Sequence, residues 1–301
     1  MDRLLFDAAT PAVAFWLLFG MLVSLELADA TRNRKALQRV LQREREESAR
    51  VAGELQAARR IQLDTLPRAE KLHDSRIELA ASMEPAQEVG GDLYDFYLLD
   101  EHRLFFMLGD VSGKGLSASI FMAVSKALCK STMLRSTDAD LGALLSQANR
   151  EVERDNPGAL FVTVFAGVLD LRTGELDYCN AGQENPWRVR PDGGGVTRLT
   201  QGGGPPLCVV DDFDYRAART QLQPGDVLCI VSDGVTEAHD RAGALYGAAR
   251  TEVALANIDS AQGAVAAIGS DVKTFADGAE PADDMTVLGV RWRGPTDLGS
   301  K

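Results

Sequence analysis

The sequence predicts an α+β domain in which antiparallel sheets are covered by helices. Three observations lead to this fold class: strand patterns arrive in hairpin pairs, helical patterns come in pairs, and the two kinds of segment do not alternate along the chain. Parallel strands need a long, usually helical, crossover between them. The order of the segments therefore favours antiparallel sheets over a βαβ array.

The individual strands and helices follow from local patterns. Residues 77–83 alternate as a strand, and residues 93–99 and 104–108 flank a polar turn and predict a hairpin. Small and apolar residues at helical spacing predict helices over 116–134, 141–152, 242–254 and 261–276. Further strands are predicted at 160–170, 176–180, 187–190, 196–199, 227–231 and 285–292.

An uncharged, mostly apolar stretch occupies residues 8–25, which is the lower edge of the length that spans a bilayer. Basic residues follow it at Arg32, Arg34, Lys35 and Arg39. By the positive-inside rule, a membrane helix here would leave the rest of the chain in the cytoplasm. Two alternatives remain open: a signal peptide cleaved near residue 30, and a buried apolar helix.

Residues 32–67 contain a second helical pattern, which ends at Pro67. Its apolar and small residues follow alternating three- and four-residue steps, as in a heptad seam. The pattern predicts a parallel homodimer that connects the membrane helix to the domain, and a solvated charged helix is the alternative. The seam positions are Leu37, Leu41, Ser48, Val51, Leu55, Ala58 and Gln62.

Composition excludes some classes of partner and site. The chain carries 44 acidic and 32 basic side chains, a net charge of -12, which argues against nucleic acid as the partner. Cys129 and Arg135 have the Cys-x5-Arg spacing of cysteine-dependent phosphatases. The surrounding helical pattern without glycine does not suit the anion-binding loop that such a nucleophile needs.

Four aspartates lie at the ends of apolar runs, each in a short motif. A charge beside an apolar strand is costly unless it is neutralised, and no basic residue adjoins these acids in sequence. Divalent cations would supply the missing charge, and oxygen ligands favour Mg or Mn over Zn. The motifs are GGDLYD with Asp92, GDVSGKG with Asp110, SDGVTEA with Asp233 and ADDMT with Asp283.

Taken in order, these motifs resemble the PPM-type metal-dependent serine/threonine protein phosphatases, in the SpoIIE/RsbU-like bacterial branch. The resemblance covers residues 57–293 and includes the lead-in AARRIQLDTLP, FVTVFAGVLD, AGQENP, PGDVLCIVSDGVTEA and DDMTVLGV. It implies a four-layer α-β-β-α sandwich of two antiparallel sheets. It also implies that the lead-in helix is a regulatory switch. Together with the apolar segment and the basic residues after it, the bacterial resemblance predicts a protein at the inner membrane with its catalytic domain in the cytoplasm.

The same resemblance implies a centre of two Mn or Mg ions. Asp110 would bridge the two ions and the carbonyl of Val111 would add a ligand; Asp233 and Asp283 would hold one ion, and Asp92 would hold the other, directly or through water. Asp284 is a secondary candidate. Asp110 and Asp233 would be catalytic by way of a water molecule activated by the metals.

The implied reaction is hydrolysis of phosphoserine or phosphothreonine on a protein partner, which the branch suggests is an anti-sigma-factor antagonist. The alternative is a catalytically silent, membrane-anchored adaptor that binds a phosphoprotein. Two departures from the family pattern are Gln183, where histidine is usual, and Cys208, where glycine is usual. The expected organisation is a membrane segment (1–31), a linker helix (32–67), a phosphatase domain (68–294) and a tail (295–301).

Overall fold

A long helix, α1 (Asp2–Asp64), begins the chain. The computed structural model describes residues 2–135, 140–154, 156–191 and 193–295, and of residues 2–10 and 36 only the backbone. The predicted tail therefore lies outside the described residues, apart from residue 295. The chain divides into two compact units, Met1–Glu54 and Leu55–Lys301, so the last turns of α1 belong to the second unit.

The first unit is helical and exposes its apolar side chains. Trp16, Leu17 and Leu18 are each about two-thirds exposed, at 66%, 70% and 66%. By length and composition, α1 is the only helix in the described part of the chain that could cross a membrane. A signal sequence would satisfy the same criteria, so the membrane span and the signal peptide both remain predictions. The third alternative, a buried apolar helix, is contradicted because the side chains of residues 11–25 are exposed.

The second unit contains two five-stranded antiparallel sheets. One sheet has the order β1-β10-β9-β6-β7 and the other the order β2-β3-β4-β5-β8. In the first sheet the strands are β1 (Ile77–Glu84), β6 (Trp187–Arg190), β7 (Gly195–Arg198), β9 (Val227–Val231) and β10 (Met285–Trp292). In the second they are β2 (Leu93–Leu98), β3 (Arg103–Val111), β4 (Val162–Asp170), β5 (Glu175–Ala181) and β8 (Ala218–Gln221).

Helices cover the outer faces of both sheets. The helices α2 (Leu116–Arg135) and α3 (Leu141–Arg154) pack on the β2–β8 sheet through one apolar cluster that includes Met122 and Leu145. A one-turn helix, α4 (Asp233–Thr236), follows β9. The helices α5 (Gly247–Leu255) and α6 (Ala261–Ala276) pack on the other sheet through a second cluster. A third cluster, with Phe106, Phe165 and Ile230, fills the space between the sheets. The order is therefore α-β-β-α, which confirms the predicted fold class.

The structure differs from the sequence prediction at β8 and at the start of α5. β8 has no apolar alternation because it is an edge strand, held by backbone pairing to β5 and by an ion pair between Arg219 and Asp177 at 2.6 Å. The helix predicted from residue 242 begins at Gly247. The carboxylate of Asp240 accepts hydrogen bonds from the backbone N–H groups of Ala242 and Ala244, and this side-chain turn replaces the first helical residues.

The end of α1 packs into the second unit. Gln62 is 7% exposed, and its side-chain amide forms two hydrogen bonds with the backbone of Gly90, at 2.7 and 3.2 Å. Leu66 follows in the cluster between the sheets. A short 3-10 turn (Ala69–Lys71) then leads to β1. Gln62, predicted as the last position of the heptad seam, therefore binds the loop before β2 instead.

Candidate metal centre

The register of β2 and β3 brings the first two aspartates together. Leu93 pairs with Gly109, so the next residues outward, Asp92 and Asp110, lie opposite each other at the end of the hairpin. The backbone N–H of Val111 donates to the carbonyl of Gly91 at 3.3 Å and extends this contact. The two motifs, which residues 96–108 separate in sequence, thus meet at one end of the hairpin because antiparallel pairing returns the chain there.

The other sheet presents Asp233 and Asp283 from the end of β9 and the start of β10. Ser232 connects these two segments: its hydroxyl donates to the carbonyl of Asp284 at 3.0 Å and accepts from the N–H of Thr286 at 2.9 Å. A Cβ atom on Gly234 would lie 3.1 Å from the carbonyl oxygen of Asp283. Only glycine allows this close approach of the two segments.

Two carboxylates of the cluster, those of Asp92 and Asp233, have buried oxygens without a hydrogen-bond partner among the described residues. Asp92 is 1% exposed, and among the described residues neither of its carboxylate oxygens has a hydrogen-bond partner. Burial, together with the nearby charge of Asp110, raises the pKa of Asp92 well above its ordinary value. The Oδ1 atom of Asp233 is also buried without a partner, and burial followed by the charge of Asp283 raises the pKa of Asp233.

Asp110 connects the two pairs of acids electrostatically. Burial, followed by the charges of Asp233, Asp283 and Asp284 in that order, raises the pKa of Asp110 to about 7. The four predicted ligands and Asp284 therefore form one interacting cluster that draws on both sheets. Like charges this close disfavour each other's ionisation, so the cluster requires positive charge to be fully ionised.

Asp283 and Asp284 differ in their surroundings. The Oδ2 atom of Asp283 lies 3.0 Å from the Nζ of Lys114, which also donates to the carbonyl of Ala282. The two oxygens of Asp284 instead accept from the backbone N–H groups of Ala86 and Gly91, at 2.8 and 2.7 Å. Asp284 thereby fixes the loop that carries Asp92.

The described side chains fit divalent cations by chemistry and space, although they do not enclose an ion. No three His, Cys, Asp or Glu side chains of the described residues are arranged to hold one ion together. The donor set is all oxygen, which suits Mg or Mn. A Cβ atom on Gly91 would lie 2.8 Å from the carbonyl oxygen of Val111 and 3.0 Å from Oδ1 of Asp110. Glycine therefore leaves both oxygens uncovered on the same side.

The two departures from the family pattern have structural explanations. The side-chain carbonyl of Gln183 accepts from the Thr163 hydroxyl at 2.6 Å, and its amide donates to the carbonyl of Val231 at 3.4 Å. Thr163 in turn accepts from the backbone N–H of Asp110, so Gln183 joins the Asp110 strand to the strand that ends before Asp233. Cys208 has a φ of +67°, a conformation for which glycine is the unstrained residue.

Two supporting residues, Ser232 and Thr163, were not singled out by the sequence analysis, although both lie inside recognised motifs. Gln62 lies in the lead-in motif and was assigned to the heptad seam instead. Its contact with Gly90 depends on how the lead-in helix packs, which the sequence does not reveal. Cys129 is 1% exposed, and burial raises the pKa of its thiol to about 12, which excludes it as a thiolate nucleophile at neutral pH.

Comparisons with known proteins agree with the fold and the motifs. Residues 100–293 match the family model of stage II sporulation protein E (SpoIIE). Protein IcfG of Synechocystis is 27% identical over 79% of this chain and 41% of its own length. Phosphoserine phosphatase RsbU of Bacillus subtilis is 27% identical over 65% of this chain and 57% of its own length. The chain thus spans about half the length of these curated relatives.

Solved structures show the same fold. The SiaA-PP2C domain of Pseudomonas aeruginosa covers 82% of this chain and 98% of its own, with a TM-score of 0.70 and 21% identity. RsbX, solved in complex with magnesium, covers 73% of this chain and 98% of its own, with a TM-score of 0.56 and 15% identity. The family match covers more than half of the chain and confirms the predicted SpoIIE/RsbU-like branch of the PPM-type phosphatases: the chain belongs to the SpoIIE family.

Proposed function

We propose that this protein is a metal-dependent phosphatase that hydrolyses phosphoserine or phosphothreonine on a protein partner, using two Mn or Mg ions. The observation that carries the proposal is the pair of buried, unpartnered oxygens of Asp92 next to Asp110. An uncompensated buried carboxylate is costly, and a folded protein retains one where an external cation neutralises it. The curated relative RsbU is named a phosphoserine phosphatase, which supports the same reaction.

Each residue has a proposed role that follows from its position. Asp110, in the middle of the cluster, would contact both ions, and the carbonyl of Val111, which Gly91 leaves uncovered, would add an oxygen ligand. Asp233 and Asp283, from the second sheet, would hold one ion, and Asp92 would hold the other. We assign Asp284 to positioning, because its oxygens already accept backbone hydrogen bonds.

When bound, the ions would neutralise phosphoryl oxygens and lower the pKa of an attacking water molecule. The chain itself contributes rigid placement: Ser232 fixes the β9 and β10 ends, and Gln183 with Thr163 holds the β3 end. Lys114 is half-exposed beside Asp283 and supplies a cation at the mouth of the site, where it could meet a phosphoryl oxygen. No covalent phospho-enzyme is required by this arrangement.

The proposed substrate is a phosphorylated anti-sigma-factor antagonist, on the basis of the SpoIIE/RsbU-like resemblance. The test is release of inorganic phosphate from such a phosphoprotein by the full chain. We expect release with Mn, loss with EDTA, and recovery when Mn is added back. Release that survives chelation would contradict the metal mechanism, and tight phosphoprotein binding without any release would establish the silent adaptor instead.

We further propose that the apolar segment of α1 anchors the protein in the inner membrane and that the heptad positions pair two chains in parallel. Replacing Leu17 and Leu18 by Arg should move the chain from the membrane to the soluble fraction, whereas Val253→Arg, at an equally exposed position, should not. Replacing Leu41 and Val51 by Glu should lower the dimer fraction in analytical ultracentrifugation in detergent. Unchanged fractionation or unchanged mass would refute the respective proposal.

A further inference from the structure

A cavity of about 340 Å³ lies directly beside the acidic cluster. It is bounded by the C-terminal half of α6, the loop 277–284 and the start of β10. Asp283 and Gly234 line it, and Gly234 follows Asp233 in the chain. The cavity therefore shares one wall with the candidate metal centre. We call it the α6–β10 cavity.

The lining of the α6–β10 cavity is largely apolar. Val272 and Ala276 contribute from α6, Ala279 and Pro281 from the loop, and Met285 from β10. The charged lining residues are exposed, as groups at a cavity mouth are. Lys273 and Glu84 form a 2.6 Å ion pair there, with side chains 61% and 45% exposed. Concave, apolar surfaces of this volume with a few polar groups are typical of binding sites.

The loop wall of the cavity is held in a defined shape. Asp277 ends α6 in the left-handed conformation, with a φ of +46°, and its backbone N–H donates to the carbonyl of Lys273. The guanidinium of Arg241 donates to the carbonyl of Asp277 at 2.7 Å, and the N–H of Ala279 donates to the carbonyl of Ala276 at 2.9 Å. These bonds preform the cavity without a ligand.

We infer that the α6–β10 cavity binds an apolar side chain of the substrate, next to the phosphorylated residue. This inference rests on the proposed function, because the phosphoryl group must reach the acidic cluster. Successive residues of an extended chain are roughly 3.3–3.6 Å apart. A side chain one or two positions from the phosphoserine therefore meets the wall that the cavity shares with Asp283. The small side chains of Ala276 and Ala279 leave the space that this residue fills.

The test compares phosphoserine peptides that carry Leu, Ala or Asp at the two positions on either side of the phosphoserine. For the full chain with Mn, kcat/KM for a Leu peptide should exceed that for the matched Ala peptide by about 10- to 100-fold at one position, since an apolar pocket discriminates by about this factor. The Asp peptide should be the poorest of the three. Equal values at all four positions would overturn the inference.

Variants that fill the α6–β10 cavity test whether the preference for the Leu peptide arises there. In Ala276→Phe, and independently in Ala279→Phe, the Leu-to-Ala ratio of kcat/KM should fall to about 1. The ratio is taken within each variant, so a general loss of activity does not affect it. Ala266→Phe places the same side chain on the exposed face of α6 and should keep the wild-type ratio. A wild-type ratio in both cavity variants would overturn the inference.

Hydrolysis of p-nitrophenyl phosphate distinguishes a failure of the cavity inference from a failure of the proposed phosphatase function. This substrate has no neighbouring residue to place in the cavity. If the full chain with Mn hydrolyses it and shows no Leu preference, the inference about the cavity fails and the proposed function stands. If neither this substrate nor any phosphopeptide is hydrolysed, the proposed function fails, and the inference fails with it.

Discussion

Asp226 and Asp92 are both buried aspartates of the same sandwich, at 2% and 1% exposure, but their surroundings are opposite. Asp226 forms a buried ion pair with Arg188 and also accepts the backbone N–H of Gln223 at 2.8 Å. Neither carboxylate oxygen of Asp92 has a partner among the described residues. The same chain thus neutralises one buried acid internally and leaves the other uncompensated.

Asp95, in β2, differs from Asp92 in the same way as Asp226 does. Asp95 is as buried as Asp92 and only three residues away, yet Lys130 lies 3.0 Å from its Oδ2 atom. Packing therefore supplies a cation to each of these two acids, Asp226 and Asp95. The unpaired oxygens of Asp92 and the Oδ1 atom of Asp233 lie at one edge of the sandwich, where we expect cations from solution. A further unpaired carboxylate oxygen, Oε2 of Glu153, belongs to α3 and lies beside Cys208.

The largest expected effect comes from Asp110→Asn. This change removes the charge that both ions share, and kcat/KM for the phosphoprotein with Mn should fall by about 1,000-fold, equivalent to about 4 kcal/mol. The fold should remain, because asparagine has nearly the same size as aspartate and Asp110 lies near the end of β3. Phosphate release and circular dichroism measure the two quantities. Activity within a few-fold of wild type would contradict the central role of Asp110.

Asp226→Asn should act on stability instead. Removing one partner of a buried pair leaves Arg188 uncompensated and should cost about 3–5 kcal/mol of the free energy of unfolding. Urea unfolding, followed with and without Mn, measures this loss. The loss should be the same in both conditions, because Asp226 lies outside the acidic cluster. A loss of stability seen only with Mn would show that Asp226 contributes to metal binding, and would contradict its assignment outside the acidic cluster.

Asp92→Asn should change stability in opposite directions with and without metal. In EDTA the variant should be more stable than wild type by about 1–3 kcal/mol, since an uncompensated buried charge is removed. With Mn the variant should lose most of the stabilisation that the ion gives the wild type. Thermal unfolding of both proteins in both conditions gives the sign directly. A destabilised variant in EDTA would show that Asp92 is satisfied without a cation.

These outcomes depend on features that the sequence reveals unequally. The four acids could be predicted because each lies in a short motif at the end of an apolar strand. The hydrogen bonds from Ala86 and Gly91 to Asp284 could not be predicted, because these groups meet only when β10 lies beside the β1–β2 loop. The same holds for Lys114, whose partner Asp283 is distant in sequence. Strand β8 was missed because an edge strand needs no apolar pattern.

The stability of the metal-free protein should depend on pH because of the raised pKa of Asp110. Burial and like charges raise the pKa of Asp110 to about 7, above its value of roughly 3.9 in the unfolded chain. Stability from this group is therefore fully present below pH 4 and is lost as pH rises to about 7, by at most about 1.4 kcal/mol per pH unit. Urea unfolding in EDTA should show this slope, and Asp110→Asn should reduce it. An equal slope in both proteins would contradict this assignment.

The smallest effect is expected from Gln183→Ala. This change removes the hydrogen bonds that connect Thr163 to Val231 through Gln183. The loss of about 1 kcal/mol of hydrogen bonding should raise the Mn concentration for half-maximal activity about fivefold. Gln221→Ala, on the exposed edge strand β8, is the matched control and should leave that concentration unchanged. If both variants behave like wild type, Gln183 does not hold the two sheet edges in register.

We expect the carboxylates of the two sheets to bind divalent ions between them. Anomalous diffraction from crystals of the protein grown with Mn would locate those ions. We expect two anomalous peaks, both in contact with Asp110, one shared with Asp233 and Asp283 and the other with Asp92. Crystals that contain Mn but show no peak among these side chains would contradict this expectation.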